Sequence, residues 1–286
     1  MNFSMYTGFT EYVEQYGIER AAEYAKKNGF SGVEFLYYAK KPELIPSVDT
    51  AKEYKASLDK FGLAVPCVSM LASIVTYDAP DVVSEFNIEG LMKAIDFAAA
   101  VGAKCFHHTL MPVRNPAPPA SVSYESLFPV VLEGAKRIAD HAAPLGVTVI
   151  YEPQGLFFNG REKLGKFYRE MKKYCKNVGI CGDFGNSYFA QEEPYALFEE
   201  LVDDIVHVHI KDYAFVSPDG EKVAFDAPNA QKKEIVIGEG DIDIKRLLAI
   251  LKKAKYSDFM SIEDMPNVAS PEVIADVMRY VRDLYE

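Results

Sequence analysis

Along the chain, short apolar runs alternate with longer stretches in which apolar residues recur at helical spacing. The short runs are Phe3–Tyr6, Gly32–Leu36, Ala64–Met70, Ala103–Thr109, Thr148–Glu152, Val178–Asp183, Ile205–Lys211 and Phe259–Glu263. Between them lie predicted helices such as Glu11–Asn28, Glu89–Val101, Ser123–Leu145 and Ile242–Ala254. The runs are apolar on both faces, as strands of a buried parallel sheet are, and the alternation reads as repeated βα units. Asn28-Gly29, Phe61-Gly62, Val101-Gly102 and Leu145-Gly146 each put a glycine where a helix hands over to a strand, which suits a left-handed cap. An open, doubly wound sheet is the competing arrangement. Eight regular units, with no glycine-rich phosphate fingerprint after the first strand, favour an α/β (β/α)8 TIM barrel, with residues 1–286 as a single domain.

Two segments break the regular spacing. Pro112–Ser121 is proline-rich and follows the fourth strand, and Tyr213–Gly240 is long and polar and follows the seventh. Loops that follow strands lie on the C-terminal face of a barrel, where active sites are built.

Polar residues that end the later strands collect on that same face. The fifth strand ends in Glu152, the sixth in Asp183 and the eighth in Glu263, while the seventh reads His207-Val208-His209-Ile210-Lys211-Asp212. Period-two alternation turns His207 and His209 to the same side, with His209 nearer the open end and His207 a layer deeper. Three carboxylates and an imidazole make a hard O/N donor set suited to one divalent cation. Mn²⁺ is the leading expectation, with Mg²⁺, Co²⁺ and Zn²⁺ matching the same donors. Taken singly, a carboxylate after a strand is more often a helix cap or an ion-pair partner. Four on consecutive strands of one barrel point to a site, because the barrel brings those ends together. Substrate-contact candidates are Glu34 at the end of the second strand, His107 and His108 at the end of the fourth, Asn186, Lys211 and Asp212. Alternation favours His107 over His108 as the inward ring. A buried structural carboxylate is the competing role for Glu34, and a local salt bridge for Lys211 and Asp212.

Composition narrows the partners. With 49% hydrophobic residues the chain has material for a large core, and it contains no apolar run of about 18 residues. The N-terminus has neither a basic start nor a continuous apolar stretch, so a cytoplasmic protein is expected. The net charge of −11 argues against nucleic acid and other polyanions as partners. Cys67, Cys105, Cys175 and Cys181 form no CxxC pair, and three of them sit in apolar runs, which reads as reduced structural thiols. The expected partner is a small carbohydrate, with no membrane association; a homo-oligomer is compatible with the sequence.

The strand ends YEPQG, GDFGN, HVHIKD and SIED, with GEGDID between the last two, occur in an order that resembles the xylose-isomerase-like barrel superfamily. Within it, the sugar phosphate isomerase/epimerase group includes ketose 3-epimerases, hydroxypyruvate isomerases and inosose dehydratases. The resemblance implies metal ligands at Glu152, Asp183, His209 and Glu263, with Glu152 and Glu263 also serving as an acid/base pair. It implies proton abstraction next to a carbonyl through an enediolate, hence a sugar isomerase or epimerase. The alternatives are a dehydratase acting on a keto-sugar or keto-inositol, a barrel subunit of a C-glycoside-cleaving enzyme and, further off, a non-catalytic sugar-binding protein. Asn186 stands where a three-zinc endonuclease-IV-type relative needs a histidine, which argues against a nuclease. That same Asn186, and the absence of arginine from HIKDYAFV, also set the chain apart from free-ketose 3-epimerases.

Overall fold

The structure, a computed structural model, describes residues 1–39, 41–76, 78–111, 122–264 and 271–286, so the proline-rich segment after the fourth strand lies outside the described residues. Its centre is a parallel sheet of β1 (Asn2–Met5), β2 (Gly32–Val33), β3 (Phe35–Tyr38), β4 (Cys67–Ser73), β5 (Cys105–Thr109), β6 (Thr148–Tyr151), β7 (Val178–Asp183), β8 (Ile205–Ile210) and β11 (Phe259–Ile262). The order across the sheet is β2-β1-β11-β8-β7-β6-β5-β4-β3. Its two edges, β2 and β3, are separated in the chain by Glu34 alone, so they are halves of one interrupted strand and the sheet closes into a ring. Val33 N–H donates to the Ala64 carbonyl at 2.9 Å and Glu34 N–H to that of Met5 at 2.9 Å, holding the break to both neighbours. The ring is the expected eight-stranded TIM barrel.

The helices α1 (Phe9–Tyr16), α2 (Ile18–Lys27), α3 (Val48–Lys60), α4 (Glu85–Val101), α5 (Tyr124–Ala142), α6 (Gly160–Met171), α7 (Pro194–Leu201), α8 (Ile244–Lys253) and α9 (Pro271–Tyr285) surround it. α8 shows why they pack: Ile244, Leu247, Leu248 and Leu251 fall on one face and are buried. Burying each contributes roughly 1.5–3 kcal/mol before conformational entropy is counted. The predicted helix Glu11–Asn28 is two helices, because Gly17, at φ 81°, interrupts it between α1 and α2. The four helix-ending glycines Gly29, Gly62, Gly102 and Gly146 all have φ between 62° and 89°, the left-handed cap that their position predicts.

Tyr213–Gly240, expected as an irregular loop, is partly ordered. β9 (Asp212–Val216) pairs antiparallel with β10 (Gln231–Ile235), with Tyr213 opposite Glu234. The charged sequence QKKEI hides this strand from a search for apolar runs, because β10 is mostly exposed. At the barrel floor Cys67, Cys105 and Cys181 pack with Ile150 as small hydrophobes, and all four cysteines are free and buried. Among the described residues no helix is long and apolar enough to cross a membrane.

Candidate active site

Strand register sets the site. Ser4 pairs with Ser261, Ser261 with His209, and His209 with Asp183, so β1, β11, β8 and β7 present one ring of polar side chains to the barrel axis. Glu152 follows β6 and Glu263 follows β11. Those strands are three apart in an eight-membered ring, so the two carboxylates enter from nearly opposite sides.

His209 sits at the centre. Its Nδ1 is 2.6 Å from Glu152 Oε1 and 3.5 Å from Glu263 Oε2, its Nε2 is 3.2 Å from Glu34 Oε1, and Tyr6 stacks on the ring at 4.9 Å and 14°. Asp183 Oδ1 accepts the backbone N–H groups of Gly185 at 2.8 Å and Asn186 at 2.6 Å, which fixes the carboxylate and leaves Oδ2 facing Lys211 Nζ at 3.1 Å. Lys211 also donates to Glu263 Oε1 at 2.8 Å and to Asn186 Oδ1 at 3.3 Å.

One ligand atom from each of Glu152, Asp183, His209 and Glu263 lies within 4.8 Å of the others. Metal–oxygen and metal–nitrogen bonds of about 2.0–2.2 Å separate opposite ligands by roughly 4 Å, so a modest contraction of this cluster closes around a cation. The donors are hard, and the charge count points the same way. Glu34, Glu152, Asp183 and Glu263 crowd one buried region with Lys211 as the lysine among them. These residues fit a divalent ion.

The electrostatics record that crowding. Burial raises the Asp183 carboxyl to about 8 despite Lys211, and it raises Glu263 as well. Glu152 moves down instead: burial works against its ionisation, but the charged His209 ring, which hydrogen-bonds to it, and the Lys211 ammonium outweigh it. For His209, burial disfavours the charged ring, while Cys181, Glu34 and Glu152 more than offset it and carry its pKa well above the ordinary imidazole value. Lys211 is likewise raised, since Asp183 and Glu263 overcome the desolvation.

Above the cluster opens a cavity of about 660 Å³, walled by Tyr6, Leu36, Leu71, Phe189 and Tyr213 as well as by the polar groups, with Glu234 of the β9–β10 hairpin on its rim. Gln154 Oε1, Asn186 Nδ2 and His107 Nε2 are buried cavity-wall atoms without a protein hydrogen-bond partner. His107 lies 3.6 Å from Glu152 Oε2, and burial lowers its pKa to about 4, so the ring is neutral.

Three of the expected substrate contacts lie elsewhere. Glu34 is fully buried beneath the cavity and spends its oxygens on Ser69, Ser261, His207 and His209, which leaves none for a substrate hydroxyl. His108 points into the layer between barrel and helices, where it meets Tyr151 edge-on and its Nδ1–H donates to the Thr109 carbonyl at 2.9 Å. Asp212 accepts four backbone N–H groups, from Tyr213, Gly238, Gly240 and Ile242, and so ties down the end of the hairpin loop. His107, Asn186 and Lys211 do line the cavity. Sequence reasoning passed over Tyr6, Gln154 and Tyr213. Tyr6 ends the first strand as Glu152 ends the fifth, so the same positional rule reaches it, but a tyrosine closing an apolar run reads as core.

The xylose isomerase-like TIM barrel family model matches residues 22–284, and the chain belongs to that family. An inosose dehydratase of Geobacillus thermodenitrificans is 25% identical over 166 residues, which cover 56% of this chain and 55% of that protein. The chain thus matches about half the length of that curated relative. Among solved structures, a D-psicose 3-epimerase with D-tagatose from Clostridium cellulolyticum H10 superposes with a TM-score of 0.74 at 13% identity, over 100% of both chains. The protein IOLI, solved with a bound zinc atom, superposes with a TM-score of 0.72 at 17% identity, over 100% of this chain and 98% of that one. At such identities the two structures speak to the fold.

Proposed function

We propose that this chain is a divalent-metal-dependent sugar isomerase or epimerase that takes a proton from the carbon beside the carbonyl of a small keto-sugar or related polyol. The observation that carries the reading is the pair Glu152 and Glu263, on nearly opposite strands, both on the cavity wall and both at the Nδ1 side of His209. Glu152, Asp183, His209 and Glu263 would hold the cation, which supplies charge stabilisation at the oxygen where the enediolate forms. A zinc atom in a neighbour of the same fold, together with the hard donor set here, supports such an ion. Mn²⁺, Mg²⁺, Co²⁺ and Zn²⁺ all match it.

The residues then divide the work. Glu152, held ionised by the His209 ring and the Lys211 ammonium, is the base that accepts the proton from carbon. Glu263, raised toward the protonated form by burial and within 2.8 Å of the Lys211 ammonium, is the group that returns one on the other side. Lys211 keeps that carboxyl placed and can resupply its proton. Tyr6, Leu36, Leu71 and Phe189 give the cavity an apolar wall beside these groups.

The inosose dehydratase relative favours a second reading on the same machinery. Loss of a hydroxyl from the carbon next to the enolate, protonated from the Glu263–Lys211 side, turns the epimerase chemistry into a dehydratase. Incubation with ketohexoses and inososes in deuterated buffer with Mn²⁺ tests both. Deuterium at a carbon next to the carbonyl is expected, with an isomeric product for the first reading and loss of water for the second. Glu152→Gln should abolish exchange while sugar affinity is largely retained. No exchange into any of these sugars at saturating Mn²⁺ overturns both readings.

A further inference from the structure

We propose that Glu34 is a positioning residue that holds a proton on Nε2 of His209 directly and on Nδ1 of His107 through Ser69, so that Nδ1 is the His209 nitrogen a cation takes and His107 turns a bare lone pair toward the cavity. The His209 half rests on the metal reading above; the His107 half stands apart from it.

Hydrogen-bond counting leads there. A carboxylate offers about four lone-pair positions and no proton. Glu34 Oε1 takes the Ser69 hydroxyl at 2.7 Å and His209 Nε2 at 3.2 Å, and Oε2 takes the Ser261 hydroxyl at 2.6 Å and His207 Nε2 at 2.9 Å. Those four donors fill it. His209 must therefore carry a proton on Nε2. Its Nδ1, which faces Glu152 at 2.6 Å and Glu263 at 3.5 Å, is then the nitrogen on which a cation replaces the proton shared with those carboxylates. A carboxylate behind the ligating imidazole is a common means of setting ring orientation and ligand basicity.

The second branch follows from the single proton of Ser69. That proton goes to Glu34, so Ser69 Oγ can only accept from His107 Nδ1, 3.2 Å away. His107 is thus the Nδ1–H tautomer, and its Nε2 presents a lone pair to the cavity. Nε2 has no hydrogen-bond partner and lies 3.6 Å from Glu152 Oε2, another acceptor. Two acceptors side by side call for a donor between them. A substrate hydroxyl supplies one, so His107 selects a ligand with an O–H, rather than a carbonyl oxygen, at this point.

The interruption of the barrel at Glu34 is what allows this. Between β2 and β3 the chain leaves the ladder for one residue, and the side chain enters the barrel axis instead of the cavity. Ser69, His207 and Ser261 reach it from three further strands.

Long-range proton–nitrogen NMR of protein labelled with ¹⁵N-histidine reads the tautomers, and Zn²⁺ serves as a diamagnetic probe. In wild type, His107 should carry its proton on Nδ1 with or without Zn²⁺, and Zn²⁺ should perturb His209 Nδ1 while Nε2–H persists. Ser69→Ala should shift His107 toward the Nε2–H form and leave the Zn²⁺ dissociation constant within about 2-fold, since the Ser69 hydroxyl hydrogen-bonds to Glu34 and His107. Glu34→Gln, confirmed folded by circular dichroism, should weaken Zn²⁺ by about 10–100-fold in titration calorimetry. A wild-type His107 protonated on Nε2, or a Ser69→Ala protein with an unchanged His107, overturns the proposal for that ring. Unchanged Zn²⁺ affinity in Glu34→Gln overturns it for His209. If Zn²⁺ leaves His209 Nδ1 unperturbed in wild type, the metal reading itself fails, and His107 still reports on its own half.

Discussion

Gly240→Ala is expected to cost far more than its small size suggests. A Cβ at this position would overlap Asp212 Oδ1 and Cγ and stand 2.8 Å from Oδ2, so the buried carboxylate would have to withdraw. Asp212 now accepts N–H groups from Tyr213 and Gly238 at 2.9 Å, Gly240 at 3.0 Å and Ile242 at 3.2 Å. Hydrogen bonds to a charged group contribute about 1.5–3 kcal/mol each. Water can replace part of this at the half-buried loop, so losing two of the four at the lower figure gives about 3 kcal/mol. At about 2–3 °C per kcal/mol for a chain of this size, the melting temperature should fall by about 6–9 °C. Gly220→Ala is the control. It lies in the same excursion at φ 88° with nothing within 4 Å of the added carbon, so only the left-handed backbone penalty of about 1–2 kcal/mol applies. Differential scanning calorimetry on both variants decides the matter. A Gly240→Ala protein that melts within 2 °C of wild type, or no lower than Gly220→Ala, refutes the role given to Asp212.

Other expectations follow from the site's electrostatics. Above about pH 6.5, where unfolded histidines are neutral, the raised His209 and Glu263 and Asp183, raised to about 8, make the metal-free folded protein bind more protons than the unfolded chain; below it, His107 and His108, lowered to about 4, work the other way. The protein's stability should therefore fall as pH rises from about 6.5, the ordinary imidazole value, through about 8, where Asp183 ionises. Melting curves of chelator-treated protein from pH 6.5 to 8.5 check this; a flat or rising profile contradicts it. A cation displaces the same protons, so its apparent affinity should increase with pH, and calorimetry in buffers of different ionisation enthalpy should show net proton release. Binding without proton release would be inconsistent with the assigned states. Burial raises the pKa of Cys67, Cys105, Cys175 and Cys181, so a thiol reagent should modify them slowly in the native protein and all four after unfolding. Rapid native labelling would contradict their packing.

Much of the barrel was legible because strand and helix periods alternate strictly and Val178–Asp183, for example, is apolar until its last residue. The glycines after α2, α3 and α4 marked handovers for a local steric reason that needs no tertiary context. The site was legible for a related reason, since a parallel barrel turns every strand end toward one mouth. What escaped depends on long-range closure. Glu34 was visible as a carboxyl in an apolar run, but its place on the barrel axis follows from a one-residue gap that no periodicity announces. His108 and Asp212 sit at strand ends where side-chain parity gives way, and neighbouring residues took the cavity instead. β10 was lost because its exposed face carries lysines and glutamate, and its partner is fixed by the Asp212 clamp rather than by apolar pattern.

The central claim is that Glu152, Asp183, His209 and Glu263 together hold one catalytic cation. An anomalous-difference map from crystals grown with Mn²⁺ tests it most directly. A single strong peak per chain, bound by His209 Nδ1 and by oxygens of the three carboxylates, with Lys211 shifted away from Asp183, is the predicted result. A map without density there, or with the ion on other side chains, would contradict the account.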